Sequence, residues 1–255
     1  MAMKRLKIST EYDKFLEKLK KGENFALSRF GGEEGIIISN KKIDLSKRHE
    51  WSFDPENERH QGFRGLLMQS ISDSMDGYYK GVPCYCCINE NLVDNCLGLI
   101  KDKENITLDN IFVNKNIRRL DELLDVLNGK NIIVACDWSA VAIQNPKVKL
   151  NVRYCFRSKG NTVDRVDIFN DISKFIAEHN VENYIFLFCL GPLSNILVHQ
   201  LYKINNKNTY INVGSLFDPV FYGRITRDYQ NPQHINSKKI CVMDLPTEGG
   251  SDEYL

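Results

Sequence analysis

The apolar residues of this chain fall into two kinds of pattern, short continuous runs and positions at helical spacing. The run from Tyr184 to Cys189 predicts a strand that is buried on both faces. Behind it, one face of a helix is predicted by Leu193, Ile196, Leu197, Leu201 and Ile204. Another strand is predicted at 209–213. Strands buried on both faces are typical of parallel sheets that helices cover.

The rest of the chain continues this alternation. Further strands are predicted at 24–30, 82–88, 131–136, 149–156 and 240–245. Further helices are predicted at 10–21, 63–78, 91–100, 120–127 and 166–176. Residues 36–38 fit a short strand or a helix start, and 41–60 have the pattern of a long polar loop. The alternation predicts an α/β fold in which one Rossmann-like, doubly wound, mostly parallel sheet is flanked by helices, in a single domain over 1–255.

Composition narrows the functional classes. The chain has 255 residues, a formal net charge of +1 and 42% hydrophobic residues, as in ordinary globular proteins. This balance favours neither nucleic acid nor a membrane surface as the main partner. No run approaches the length of a membrane span, and the first residues lack the apolar core of a signal peptide. Six of the eight cysteines lie in apolar runs and are expected to be buried free thiols, so we expect a cytoplasmic location.

Small and polar residues follow the two late strands. Gly191 and Pro192 separate the first of these strands from its helix, whose free N–H groups near Ser194 and Asn195 predict an anion site. The next strand is followed by Gly214 and Ser215. In open α/β sheets ligands bind at such strand ends.

A second candidate site follows the first predicted strand. Arg29 is able to form a two-pronged contact with a phosphate, and the glycines around Gly31 and Gly32 let a ligand approach the backbone. Glu33 and Glu34 offer oxygen ligands for a divalent metal. The alternative interpretation is a plain strand-to-helix turn, in which the helix dipole favours glutamates in the first turn.

Three segments occur in the order found in a known family. They are Arg-Phe-Gly-x-x-Glu at 29–34, Leu-Gly-Pro at 190–192 and Asn-Val-Gly-Ser-Leu-Phe-Asp at 212–218. Together they resemble the GT-D type glycosyltransferases, small enzymes that transfer a sugar from a nucleotide donor. The resemblance spans roughly residues 24–230, and Asn114 and the stretch 226–229 are also similar to family positions.

This resemblance implies a nucleotide diphosphate-sugar donor and a glycan acceptor. The residues expected to bind the donor are Arg29, Gly31, Gly32, Gly191, Pro192, Ser194, Asn195, Gly214 and Ser215.

The chain departs from the family in its acidic motif. The family has Asp-x-Glu after Arg-Phe-Gly, whereas this chain has Gly32, Glu33 and Glu34, so only the final glutamate is kept. The resemblance implies a divalent metal, Mg²⁺ or Mn²⁺, with Glu34 as its ligand. Either Glu33 compensates for the missing aspartate, or the ion is held mainly by the donor phosphates. Positive charge is also available without a metal, from Arg29 and from Arg224 or Arg227. We therefore expect metal dependence to be weaker than in the family.

Transfer with inversion needs a base for the acceptor hydroxyl, and a carboxylate is the usual choice. Asp218, close behind a buried strand and just before Pro219, is the first candidate; Pro219 biases it towards an extended backbone. Glu33 and Glu34 are further catalytic candidates, with Asp137 behind them. The alternative for Asp218 is an Asx-type turn. The stretch 137–139 suits a ligand wall or, equally, a turn.

Two rival functions belong to other classes. One is a catalytically silent protein that binds a nucleotide-sugar or glycan. The other is a methyltransferase or dehydrogenase, although the glycines at 31–35 do not have the spacing of the Rossmann phosphate loop. His199 lies off the apolar stripe of its predicted helix, which indicates an exposed position rather than a catalytic one.

Overall fold

The computed structural model describes residue 6 and residues 8–48, 50–83, 90–140 and 150–231. Its strands are β1 (Ala26–Arg29), β2 (Ile43–Asp44), β3 (Ser52–Phe53), β4 (Tyr78–Val82), β5 (Ile106–Leu108), β6 (Ile132–Asp137), β7 (Val152–Ser158), β8 (Ile185–Cys189) and β9 (Thr209–Asn212). Its α-helices are α1 (Ile8–Lys21), α2 (Gly32–Ile38), α3 (Glu58–Ser72), α4 (Glu90–Leu99), α5 (Leu120–Leu127), α6 (Ile168–Glu178), α7 (Leu193–Ile204) and α8 (Asp218–Phe221). Short 3₁₀ turns lie at Ser46–Arg48, Asn114–Arg119, Thr162–Asp164 and Asp228–Gln230.

Seven of the described strands form one sheet in the order β5-β4-β1-β9-β8-β6-β7, and all their pairings are parallel. The remaining two, β2 and β3, form a small antiparallel hairpin. The predicted α/β class with a doubly wound, mostly parallel sheet is confirmed. Since the strands of the large sheet run in one direction, their carboxyl ends meet at one edge, called here the carboxyl edge.

Successive residues of the central strands enter two separate cores, because side chains alternate across a sheet. Ala26 faces the core formed with α2, α3, α4, α6 and α7, whereas Leu27 faces the core formed with α1, α5 and α8. Phe186 and Leu187 divide in the same way. This double burial explains the continuous apolar runs in the sequence. Within the described ranges, no helix is long and apolar enough to cross a membrane.

The first half of the chain contains most of the corrections to the predicted elements. Helix α3 ends at Ser72 rather than near residue 78, and Tyr78 opens β4. The turn between them ends at Gly77, whose φ of 72° is one that glycine adopts readily. Residues 36–38 belong to a helix, and the predicted loop at 41–60 contains the β2–β3 hairpin and the start of α3. Strand β5 was not predicted, because three residues are too few to show a period.

His199 is buried, which corrects the expectation of an exposed side chain. It is 2% exposed, and its Nε2 lies 3.0 Å from Asp73 Oδ2. Of the six cysteines expected to be buried free thiols, the structure describes Cys136, which is buried, and Cys189, which is half-buried. Both are free thiols, as are Cys96 and Cys155. The predicted strand at 240–245 and most of the one at 82–88 lie outside the described residues.

Candidate active site

The carboxyl end of β1 places Arg29 beside the residues that follow β5 and β9. Its Nε donates a hydrogen bond to the carbonyl oxygen of Asp109. On its other side the guanidinium lies against Gly214, where a Cβ atom would stand 2.9 Å from Nη1. Gly214 also has a positive φ of 53°, which favours glycine. The structure therefore brings together two residues that the sequence predicted for the donor site.

Glu34 caps the helix that follows β1. Its Oε2 accepts a hydrogen bond from the Gly31 N–H at 2.9 Å, and its Oε1 lies 3.5 Å from Nδ2 of Asn195. The side chain is buried, and burial raises its pKa to about 8, with a further rise from the neighbouring Glu33 carboxylate. At neutral pH the Glu34 carboxyl group therefore carries a proton for most of the time.

The described residues do not fit the metal site that the family resemblance implies. No group of three or more His, Cys, Asp or Glu side chains in the described ranges is arranged to hold a metal ion. The two oxygens of Glu34 lie 2.9 Å from the Gly31 nitrogen and 3.5 Å from the Asn195 amide nitrogen. Glu34, the residue expected to bind the metal, therefore caps α2 through one oxygen and contacts Asn195 through the other.

We predict that stability depends on the charge of Glu34. Its folded-state pKa lies above the ordinary 4.5, so the stability it gives is full below pH 4.5 and is lost as the pH rises through about 8. Glu34→Gln mimics the protonated carboxyl, so its melting temperature should exceed that of the wild type by on the order of 5 °C at pH 9, and by less at pH 5. Thermal denaturation across this range, with the exposed Glu56→Gln as control, measures it; parallel pH curves would contradict it.

Asn195 and Ser194 support the site from beneath. The Oδ1 of Asn195 accepts from the Arg29 backbone N–H at 2.7 Å and from Nδ2 of Asn212 at 2.8 Å. Its Nδ2 donates to the Arg29 carbonyl at 2.8 Å, so one amide fixes α7, β1 and β9 together. Ser194 Oγ accepts from the Leu190 N–H at 2.9 Å.

The N–H groups that were expected to bind a diphosphate are used within the turn. Ser194 N–H donates to the Gly191 carbonyl at 3.1 Å, and Asn195 N–H donates to the Pro192 carbonyl at 3.2 Å. Both side chains are completely buried. Both residues therefore have a structural role in this turn, and the expected anion contact stays a prediction.

Gly191 is held by a tryptophan from the hairpin. Its φ is +54°, and a Cβ atom would stand 2.7 Å from Nε1 of Trp51, which is itself buried. We predict that Gly191→Ala loses about 2 kcal/mol of folding stability, because an L-residue is strained there and meets the indole. Urea denaturation measures this, with Gly65→Ala in α3 as control, since its Cβ would enter open space. A stable Gly191→Ala protein would contradict the Trp51 contact.

Asp218 opens α8 after β9, so its backbone is helical rather than extended as predicted. Strand β9 ends at Asn212, and a turn at 213–217 follows it. The Asp218 N–H donates to the Ser215 carbonyl at 3.2 Å, and this bond leads from the turn into α8. The Thr226 hydroxyl donates to Oδ2 of Asp218. Burial raises the pKa of Asp218 to about 6, although the Thr226 hydrogen bond and Arg227 oppose the rise.

The chain from 224 to 231 folds back over this strand end. Tyr229 OH lies 2.7 Å from Ser215 Oγ, and Gln230 Nε2 donates to the Ser215 carbonyl. Gln230 Oε1 accepts from the backbone N–H of Thr226 at 2.8 Å and of Arg227 at 3.0 Å. The segment that resembles a family tail motif is therefore tied to the candidate base.

An ion pair joins this tail to the hairpin. Arg227 Nη1 lies 3.0 Å from Glu50 Oε1, and Glu50 is close enough to raise the pKa of Asp218. Sequence reasoning missed Glu50, and it also missed the structural roles of Trp51, Asp109, Asn212 and Gln230. Asp109 gave no signal because it follows β5, which is too short to show a period. The other four act mainly through contacts with residues distant in sequence.

Three solved chains match this structure. One is described as a new glycosyltransferase, of domain of unknown function 1792, from Streptococcus sanguinis; the alignment covers 92% of each chain at 14% identity and a TM-score of 0.59. A second, described as showing that this highly conserved domain has a distinct glycosyltransferase fold, is 14% identical with a TM-score of 0.57, over 90% of this chain and 88% of that one. The third is the selenomethionine-substituted domain, with the same figures.

Neither a family model nor a curated protein matches the sequence. At this identity the three structures show the fold alone. The chain has the fold that those structures describe as a glycosyltransferase fold, and this confirms the fold that the resemblance to the GT-D type enzymes implies.

Proposed function

We propose that the protein transfers a sugar from a nucleotide diphosphate-sugar donor to a glycan acceptor. One observation carries the proposal: the Arg29 guanidinium lies against Gly214 at the carboxyl edge, and the Asp218 carboxyl group follows Gly214 in the same segment. Burial raises the pKa of Tyr229, while the Arg29 charge lowers it and the Asp218 charge adds to the rise, so both charges are near this side chain. A diphosphate needs the cation, and an attacking hydroxyl needs the base.

Arg29 is suited to the leaving group. Its Nε is fixed by the Asp109 carbonyl, which leaves the terminal nitrogens beside Gly214 for the donor phosphates. Negative charge grows on the diphosphate as its bond to the anomeric carbon breaks, and a fixed guanidinium stabilises that charge without reorganising. The bonding electrons leave with the diphosphate.

Asp218 is suited to the attacking hydroxyl. Its Oδ2 accepts from Thr226, so Oδ1 is the oxygen that takes the acceptor proton while the hydroxyl oxygen bonds to the anomeric carbon. A base works best when its pKa lies near the working pH, and a value of about 6 meets that condition. Such a direct displacement inverts the anomeric configuration of the transferred sugar.

The dinucleotide-binding alternative fits less well. In Rossmann enzymes the pyrophosphate sits against the free N–H groups of the helix after the first strand. In this protein the Glu34 side chain takes the Gly31 N–H at that position. The place of the phosphate is therefore filled by a carboxyl group of the chain itself.

A panel of nucleotide diphosphate-sugars tests the proposal. We expect release of nucleoside diphosphate from at least one donor, faster with a glycan acceptor than without, and calorimetric binding of the same donor. Tight binding with no release under any condition would instead establish the silent binding protein. Absence of both binding and release across the panel would overturn the proposal.

A further inference from the structure

A large aromatic side chain is exposed at the carboxyl edge, beside the candidate active site. Trp138 directly follows β6 and is 52% exposed, whereas Trp51 is 4% exposed. The other large apolar side chains exposed in the described ranges are Tyr154, Ile204 and Ile225. Helix α7 begins at the carboxyl edge, so Ile204 at its end lies at the opposite edge.

The backbone around Trp138 is fixed although the ring is exposed. Its N–H donates to the Ser158 carbonyl at 2.8 Å, which ties the end of β6 to the end of β7. Asp137 Oδ1 accepts from the Ser139 N–H at 3.0 Å and from its hydroxyl at 2.6 Å. This is the turn that the sequence offered as the alternative to a ligand wall. A ring on a fixed backbone loses little conformational freedom when a ligand packs on it.

Two cations accompany the ring. Lys159 Nζ lies 5.4 Å from the centroid of the Trp138 ring, and Arg157 Nη1 donates to the Trp138 carbonyl at 3.4 Å. Both side chains are exposed, and neither forms an ion pair with an acidic residue in the described part of the chain. A half-exposed ring with one cation over a face and a second cation at its backbone carbonyl suits a ligand that is both sugar-like and anionic.

The spacing between the ends of β6 and β9, which lead to Trp138 and Asp218, sets the size of that ligand. Strand β8 separates β6 from β9, and the pairings Cys136 with Cys189 and Phe188 with Asn212 bring the three carboxyl ends level. Two strand spacings amount to about 10 Å, which exceeds one sugar ring. Tyr222 lies near both strand ends, since Asp218 and Asp137 both add to the rise in its pKa.

We propose that Trp138, Lys159 and Arg157 form the acceptor platform, which binds an acidic oligosaccharide of at least two sugar units. The unit that receives the new sugar lies at Asp218, and the next unit packs its C–H face on the indole. A carboxylate or phosphate on the acceptor lies against Lys159 and Arg157. This inference rests on the proposed function, because it names the acceptor class for the same site.

Fluorescence quenching tests the platform without any donor. The chain has two tryptophans, and the exposed Trp138 should dominate quenching by acrylamide. Three probes are compared: a neutral glucose trisaccharide, a galacturonic acid trisaccharide and a glucose trisaccharide with a terminal phosphate. We expect at least one acidic probe to lower the quenching constant by about twofold, and the neutral probe to act only at higher concentration.

Protection by the galacturonic acid probe alone would assign the charge to a carboxylate, and protection by the phosphorylated probe alone would assign it to a phosphate. Equal protection by all three would overturn the anionic assignment, and protection by none would overturn the platform.

Variants distinguish the platform from the rest of the site. Binding to the variants is measured by calorimetry, because Trp138→Ala removes the reporting indole. Trp138→Ala should weaken binding of the protecting probe by about tenfold, and Lys159→Ala by about threefold. Ile204→Ala and Lys101→Ala, which change exposed residues at the opposite edge, should leave it unchanged. Donor hydrolysis without acceptor should match that of the wild type in the two control variants, Ile204→Ala and Lys101→Ala. Loss of donor hydrolysis in Trp138→Ala would move the ring to the donor site and overturn the inference. If no donor reacts with the wild type, the proposed function fails. The quenching assay contains no donor, so it tests oligosaccharide binding at Trp138 independently of that outcome.

Discussion

Sugar transfer should fall by about 100-fold or more when Asp218 is replaced by asparagine, while donor affinity is retained. Asparagine keeps the size of the side chain and can still accept the Thr226 hydrogen bond, but it cannot take a proton from the acceptor. Single-turnover transfer rates and calorimetric donor affinity measure the two effects separately. Asp171→Asn, an exposed change in the first turn of α6, is the matched control.

The pH dependence gives this prediction a second readout. The base acts when it is ionised, so the wild-type rate should rise with pH through about 6, the pKa to which burial raises Asp218. The residual rate of Asp218→Asn should lack that rise. If Asp218 serves only as a turn residue, the substitution changes the rate little and both proteins follow one pH profile. That outcome would contradict the assignment of the base.

Arg29→Ala is expected to lower turnover of the donor by about 100-fold, because the leaving diphosphate loses its fixed cation. Arg29→Lys should recover part of this loss, since lysine restores the charge without the planar geometry of the guanidinium. Rates of nucleoside diphosphate release measure both variants. Arg153→Ala, which removes an exposed arginine near the start of β7, is the control.

Folding must be measured beside the Arg29 rates, because the side chain also bonds to the Asp109 carbonyl. A melting temperature that falls equally in the alanine and lysine variants, with unchanged activity per folded molecule, would show that Arg29 only supports the turn. The catalytic assignment requires that activity and stability change by different amounts in the two variants.

Much of the fold was predictable because it depends on local and periodic properties. The buried runs at β6, β8 and β9 and the amphipathic faces of α5, α6 and α7 gave the alternation of a parallel sheet, since each element must bury its own apolar residues. The prediction placed the boundary between α3 and β4 wrongly, because the apolar residues there fit both the helical period and the strand period. Gly77, with its positive φ, marks the turn between them.

The sequence by itself also placed Arg29, Gly214 and Asp218 at strand ends, and parallel strands bring such ends to one edge. Only the tertiary structure decided which groups remain available for chemistry. Asn195 looked like a ligand residue, yet its amide joins three elements that are distant in sequence. The protonation of Glu34 likewise depends on burial beneath other elements, and desolvation is a property of the packed chain rather than of a motif.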